Sequence, residues 1–337
     1  MDGGYHSHTT GQTAAGGNCG KNKVSGLSMQ QSGGNGTDQV PLGGEPVNEL
    51  GRADEAFRRG FPHSSGAVPY FHAAGRGLLP PQWTRPALVV PLDGHYVVED
   101  PVINRPVSWL RTAFARDLPG FKRRLDGLRT VFDAASLPNH DIDGVTPFFP
   151  NPYFGPMDAT ALTGIIQQRR PRRYVEIGSG ISTRVARRAV EEAELATSIL
   201  CIDPAPREPI ARLADRIVSD SVLRADLSIF AELSDNDILF FDGSHLSFSG
   251  SDCSHVVLEI LPLLAPGVHV HLHDIFLPDD YPERLRNRFY NEQQLLAAFL
   301  AGNHDYEVVL PIQYLHRLGL CSEGVSFWMR RVGGKGT

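Results

Sequence analysis

From residue 157 onward, β-prone and helix-like runs follow one another in regular alternation, and this constrains the fold more than any other feature. Helix-like Asp158–Gln168 precedes strand Arg173–Ile177, and helix Ser182–Glu194 precedes strand Ser198–Ile202. Pro209–Asp215 reads as a helix leading to the short strand Arg216–Ser219. Strand Ile238–Phe241 is followed by helix Asp252–Leu264, and strand Val268–Leu272 by helix Asn291–Leu300. Glu307–Leu310 and Val325–Met329 close the series. Strands joined through helices run parallel, and the helices cover both sheet faces. The expected fold is therefore α/β, three layers deep, with a mostly parallel sheet. No long helix separates the last two strands, which allows an antiparallel edge strand.

The chain ahead of this zone reads differently. Residues 1–44 hold 12 of the 34 glycines and few aliphatic side chains. Such a segment cannot bury enough surface to offset its conformational entropy, so a disordered tail is expected. Residues 45–156 are proline-rich and read as an N-terminal cap or linker to a domain spanning 157–332. Asp93-Gly94 between the β-prone runs Ala87–Val90 and His95–Val98 predicts a hairpin. Ser108 is placed as the N-cap of a helix carrying Trp109, Leu110 and Phe114, which Pro119-Gly120 should break. A second helix is expected over Phe121 to Ala135. The aromatic run Pro147–Gly155 suits either a linker or a pocket wall.

Composition narrows the partners. The net charge is −6 and the pI about 6.1, so no basic field invites nucleic acid. The four cysteines, Cys19, Cys201, Cys253 and Cys321, are far apart and suggest neither a zinc site nor a disulfide framework. No apolar run is long enough to span a bilayer, and no secretory signal is visible, so a cytoplasmic protein is expected. A homo-oligomer is compatible with this composition.

The strongest chemical signal lies at the end of the first strand, in Glu176-Ile-Gly178-Ser-Gly180. In an open α/β sheet, ligands bind outside the carboxyl ends of the strands. Glycines there let a ligand approach the backbone, and the helix that follows adds free N–H donors. Ser179, Ser182 and Thr183 belong to the same loop. A dinucleotide fingerprint would need a small residue at Thr183, which weakens that reading. Glu176 is placed to meet a cationic ligand. Asp203, ending the second strand, is placed to accept from two ribose hydroxyls.

These segments resemble the class I S-adenosylmethionine-dependent methyltransferases, and most closely a bacterial subfamily. In that subfamily the core acid ending the fourth strand is followed by Gly-x-His, and the fifth strand ends in His-Asp. The residues that carry the resemblance are Tyr174–Thr183, Cys201-Ile-Asp-Pro204, Asp237–His245 and Leu272-His-Asp-Ile-Phe276. The resemblance implies a Rossmann-like sandwich and S-adenosylmethionine as cofactor. It implies that Glu176, Gly178 and Gly180 line the methionine moiety, Asp203 holds the ribose and Asp220 lies near the adenine. Asp242 joins this cofactor set. Ser182, where relatives more often carry a third glycine, departs from the pattern.

Two mechanisms stay open at the later strand ends. Asp242, His273 and Asp274 could hold Mg²⁺ or another divalent ion that acidifies a substrate hydroxyl. Alternatively His245 or His273 removes the proton directly, with Asp242 beside them. Beyond Asp274, Tyr281, Arg288, Tyr290 and Asn291 sit in a loop expected to cover the pocket and touch a small-molecule acceptor. The expected activity is methyl transfer to a hydroxyl. The rival readings are an NAD-type oxidoreductase, a metallohydrolase using the His269-x-His271-x-His273 string, and a non-catalytic binding protein.

Overall fold

The computed structural model describes residues 106–128, 132–206, 209–282, 285, 288 and 290–333. The glycine-rich tail, the 87–98 hairpin and the rest of the chain before residue 106 lie outside the described residues. The sheet has seven strands: β1 Arg173–Ile177, β2 Ser198–Ile202, β3 Arg216–Val218, β4 Ile238–Phe241, β5 His269–Leu272, β6 Tyr306–Pro311 and β7 Phe327–Arg331. Their spatial order is β3-β2-β1-β4-β5-β7-β6. The first five are parallel, and β7 runs antiparallel between β5 and β6. Strand order reverses between β1 and β4, which is where such sheets bind ligands.

The helices follow from the apolar pattern. α1 (Ser108–Asp126) buries Leu110, Phe114, Phe121 and Leu125, one stripe at helical spacing. Phe114 packs edge-on to Phe121 and Tyr314, so α1 shares its core with the β6–β7 side of the sheet. The expected break at Pro119-Gly120 is absent, and the helix runs through Pro119. Pro119 removes one N–H from the ladder, but Ala115, whose carbonyl loses its partner, is exposed and can be hydrated. The N-cap is Val107, tied by its N–H to Pro278 O at 2.7 Å, and Ser108 is the first helical residue.

α2 (Pro156–Arg169) and α3 (Ile181–Glu192) pack side by side. A third helical stretch, α4, covers 252–263 and widens to a π-helix over Val256–Ile260. It packs against α5 (Glu292–Gly302). The helix expected over Pro209–Asp215 is only the 3₁₀ turn Ile210–Arg212. A short helix not foreseen, α6 (Ile312–Arg317), joins β6 to β7.

Strand register decides what meets at the carboxyl edge. Ile177 pairs with Phe241, and Phe241 with Leu272. The next residues along, Gly178, Asp242 and His273, therefore emerge as neighbours from β1, β4 and β5. The residues one step back, Glu176, Phe240 and His271, face the core, where the His271 ring stacks on Phe240 at 3.9 Å.

Candidate active site

Gly178 stands at φ +80°, and a Cβ there would overlap the Asp242 carbonyl oxygen. No larger residue fits between β1 and β4 at this point. Gly180 is the opposite case: nothing lies within 4 Å of where its Cβ would be, so open space adjoins the loop. The Gly180 N–H is held by Thr183 Oγ1 at 3.1 Å. Asp203 fastens the loop from β2, with Oδ2 accepting from Ser179 N at 2.8 Å and Ser179 Oγ at 2.6 Å. Its Oδ1 accepts from Ala205 N at 2.8 Å.

Glu176 is fully buried behind this loop. Burial pushes its carboxyl up to about 8, against the opposing pull of the Ser182 and Thr183 hydroxyls. Ser182 donates to Oε1, while Oε2 has no hydrogen-bond partner. A buried acceptor without a donor costs stability. Glu176 lies directly behind the loop, four residues before Gly180, where open space adjoins the backbone.

Across the cleft stand two histidines of different standing. His273 is buried with its ring between Asp242 Oδ2, 3.7 Å from Nδ1, and Asp158 Oδ2, 3.7 Å from Nε2. Burial disfavours its cation, but Asp242, Asp158 and Asp274 more than offset this and raise it to about 9. His245 is buried beyond the end of β4 at φ +62°, in the left-handed region. Its Nδ1 meets Glu292 Oε2 at 2.9 Å, and Nε2 points between Asp242 Oδ1 at 3.4 Å and Asp274 Oδ2 at 3.6 Å. Burial again works against the charge, and Glu292, Asp242 and Asp274 raise the imidazole to about 9.

The metal set expected from sequence does not fit this arrangement. Among the described residues, no group of three or more His, Cys, Asp or Glu side chains is disposed to hold a metal ion.

Residues 175–275 match a family model described as a methyltransferase domain. The match runs from β1 to just beyond the end of β5, the stretch that holds Gly178, Asp203, Asp242 and His273. Among solved structures it is similar to the methyltransferase PaMTH1 of Podospora anserina bound to S-adenosylhomocysteine. The two are 15% identical over 71% of this chain and 99% of that one, with a TM-score of 0.38. It is similar also to an O-methyltransferase of Bacillus cereus, 19% identical over 66% of this chain and 100% of that one, TM-score 0.36. A third is the O-methyltransferase TomG of Streptomyces achromogenes, 15% identical over 67% and 98%, TM-score 0.34. Likenesses this distant say nothing of what the present chain methylates. No curated protein matches the chain. Among the described residues, no helix is long and apolar enough to cross a membrane.

The other residues expected at the site are placed as follows. Asp220 accepts from Arg224 Nε at 3.0 Å and from Ser221 N at 2.7 Å, in a pair open to solvent. Tyr281 is buried, edge-on to Tyr290, with its hydroxyl accepting from Gln293 N at 3.3 Å. Tyr290 lies 4.5 Å from the His245 ring, and Arg288 Nη1 donates to the Tyr290 hydroxyl at 2.8 Å. Asn291 is engaged by the Ser247 backbone. His269 and His271 are core residues, the latter 2.8 Å from Ser326 Oγ.

Two participants escaped the sequence reading. Glu292 stands second in the helix expected over Asn291–Leu300 and carried no signal of its own. Asp158 reads as an ordinary first-turn helix acid, yet it accepts from Val325 N at 2.9 Å and Ser326 N at 2.8 Å. These bonds also hold the chain where it enters β7, which starts at Phe327 rather than Val325. Asp158→Ala would orphan both N–H groups and is expected to cost about 3 kcal/mol. Equilibrium denaturant unfolding checks this, and unchanged stability would contradict it.

Proposed function

We propose that this methyltransferase transfers the methyl group of S-adenosylmethionine to a hydroxyl of a small-molecule acceptor, with His245 as general base. The observation that carries the reading is the bonding of His245. Glu292 engages Nδ1 at 2.9 Å, and Nε2 faces the partly exposed carboxylates of Asp242 and Asp274 at the ends of β4 and β5. That is the geometry of an oriented base.

The loop suits the cofactor on three counts. Glu176 Oε2 lacks a donor, as a site for an ammonium group requires. Gly180 adjoins open space, and Asp203 Oδ1, which accepts a single protein hydrogen bond, keeps capacity for a ribose hydroxyl. When bound, S-adenosylmethionine supplies an electrophilic methyl on a sulfonium. His245 Nε2 would take the acceptor's hydroxyl proton as the methyl passes from sulfur to the acceptor oxygen, with S-adenosylhomocysteine as the leaving group. Asp242 and Asp274 stabilise the imidazolium so formed. The reading invokes no divalent ion. Tyr290 and Arg288, next to His245, are the side chains best placed to meet the acceptor. The net charge of −6 argues for a small acceptor over a nucleic acid.

The test is the pH dependence of labelled methyl transfer to a panel of hydroxylated compounds. His245 accepts a proton only when neutral, and its carboxylate neighbours hold it protonated up to about 9. The rate is therefore expected to climb with pH through the neutral range and level off above about 9. A rate independent of pH between neutrality and that point would contradict His245 as the base.

A further inference from the structure

The first three residues at the start of α5, Asn291, Glu292 and Gln293, each hold a different part of the cleft. Asn291 Oδ1 accepts from Ser247 N at 2.6 Å, and its Nδ2 donates to Ser247 O at 3.3 Å. The backbone N–H groups of Asn291 and Glu292 both donate to His245 O, at 3.0 and 3.3 Å. Gln293 Oε1 accepts from Phe276 N at 2.8 Å, and Nε2 donates to Asp279 O at 3.1 Å. Between them Glu292, 1% exposed, meets the His245 ring.

One turn of helix thus fastens the loop after β4, the loop after β5 and the imidazole between them. A non-glycine residue keeps a left-handed backbone like that of His245 only where its surroundings fix it. The surroundings here are the unpaired N–H groups of a helix start, closed by the His245 carbonyl. Burying an ionisable glutamate costs solvation that an apolar side chain of that size would avoid. A glutamate in this place is explained by what it does to the imidazole. The groups facing that ring are Asp242 from the end of β4, Asp274 from the end of β5, Glu292 and Tyr290, with Asp252 of α4 acting on Glu292.

We propose that Asn291-Glu292-Gln293 is a positioning element for methyl transfer: Glu292 sets the tautomer and direction of His245, while Asn291 and Gln293 lock the two loops beside it. This rests on His245 being the base. It makes base alignment and closure of the acceptor side a single event, since these bonds are lost together if α5 shifts.

The experiment compares Glu292→Gln, Asn291→Ala and His245→Gln in the full chain. Steady-state kinetics across pH is read together with the ¹⁵N resonances of the His245 ring. Glu292→Gln is expected to lower kcat by about a hundredfold, leaving KM for S-adenosylmethionine within about twofold. It should move the rising limb of the pH profile to lower pH and alter the His245 Nδ1 resonance. Asn291 is exposed, so Asn291→Ala keeps the test alive if the glutamate variant fails to fold. It is expected to lower kcat about fivefold without changing KM for the methyl donor. Full kcat and an unmoved pH limb in these two variants, with His245→Gln inactive, would overturn the positioning role alone. Full activity in His245→Gln would instead remove the base assignment beneath it.

Discussion

Replacing His245 with glutamine is expected to lower kcat by about 10²- to 10⁴-fold, the range that general-base catalysis contributes. Glutamine fills similar space and can still donate toward Glu292, but it cannot take a proton at the Nε2 position. Binding of S-adenosylmethionine should change little, because the cofactor loop hangs from β1 and β2 rather than from His245. His273 is the informative comparison. It is enclosed between Asp158 and Asp242, so its replacement leaves two carboxylates without their cation. The loss expected there is of stability, several kcal/mol when a buried pair is broken by removing one partner, about 3–5. Single-turnover kinetics and thermal unfolding on the two variants separate these effects. A stable, inactive His273 variant beside an active His245 variant would reverse the assignment.

Gly178→Ala should be the most damaging change in the cofactor loop. Its φ of +80° disfavours any residue with a Cβ, and that Cβ would enter the Asp242 carbonyl oxygen. Asp242 cannot yield easily, since its N–H is bonded to Ile177 O at 3.0 Å and its side chain is held between two histidines. Backbone strain and overpacking together are expected to cost about 3 kcal/mol, and cofactor affinity should fall beyond detection. Gly180→Ala provides the contrast. Its Cβ meets no protein atom, so stability should hold while the methyl group intrudes on the space left for the cofactor. Denaturation midpoints for both variants check the pair. Equal stability loss in the two would contradict this picture of the loop.

Much of this was legible from the residues. The five parallel strands are apolar runs fixed by their helical partners, and the Gly178 loop with Asp203 on the next strand marked the ligand edge. What was not legible depends on contacts far apart in the chain. Pro119 looks like a helix break until Phe114 and Phe121 are seen to share one core with Tyr314 and Phe327. Asp158 reaches Val325 and Ser326 across more than 160 residues, which no local pattern encodes. Glu292 meets His245 across 47 residues, and the left-handed backbone at His245 leaves no trace in sequence. Asn291 and Tyr281 read as acceptor contacts because they are polar or aromatic in a loop, yet their polar atoms bond within the protein. Side-chain alternation along the His-x-His string points to core positions for His269 and His271, and both are buried.

The central claim is that the loop from Glu176 to Thr183 holds S-adenosylmethionine. Calorimetric titration of the full chain with S-adenosylhomocysteine tests it most directly. Saturable binding at one site per chain, lost in Gly178→Ala, is the predicted result. A wild-type chain that is folded and yet binds neither S-adenosylhomocysteine nor S-adenosylmethionine would contradict it.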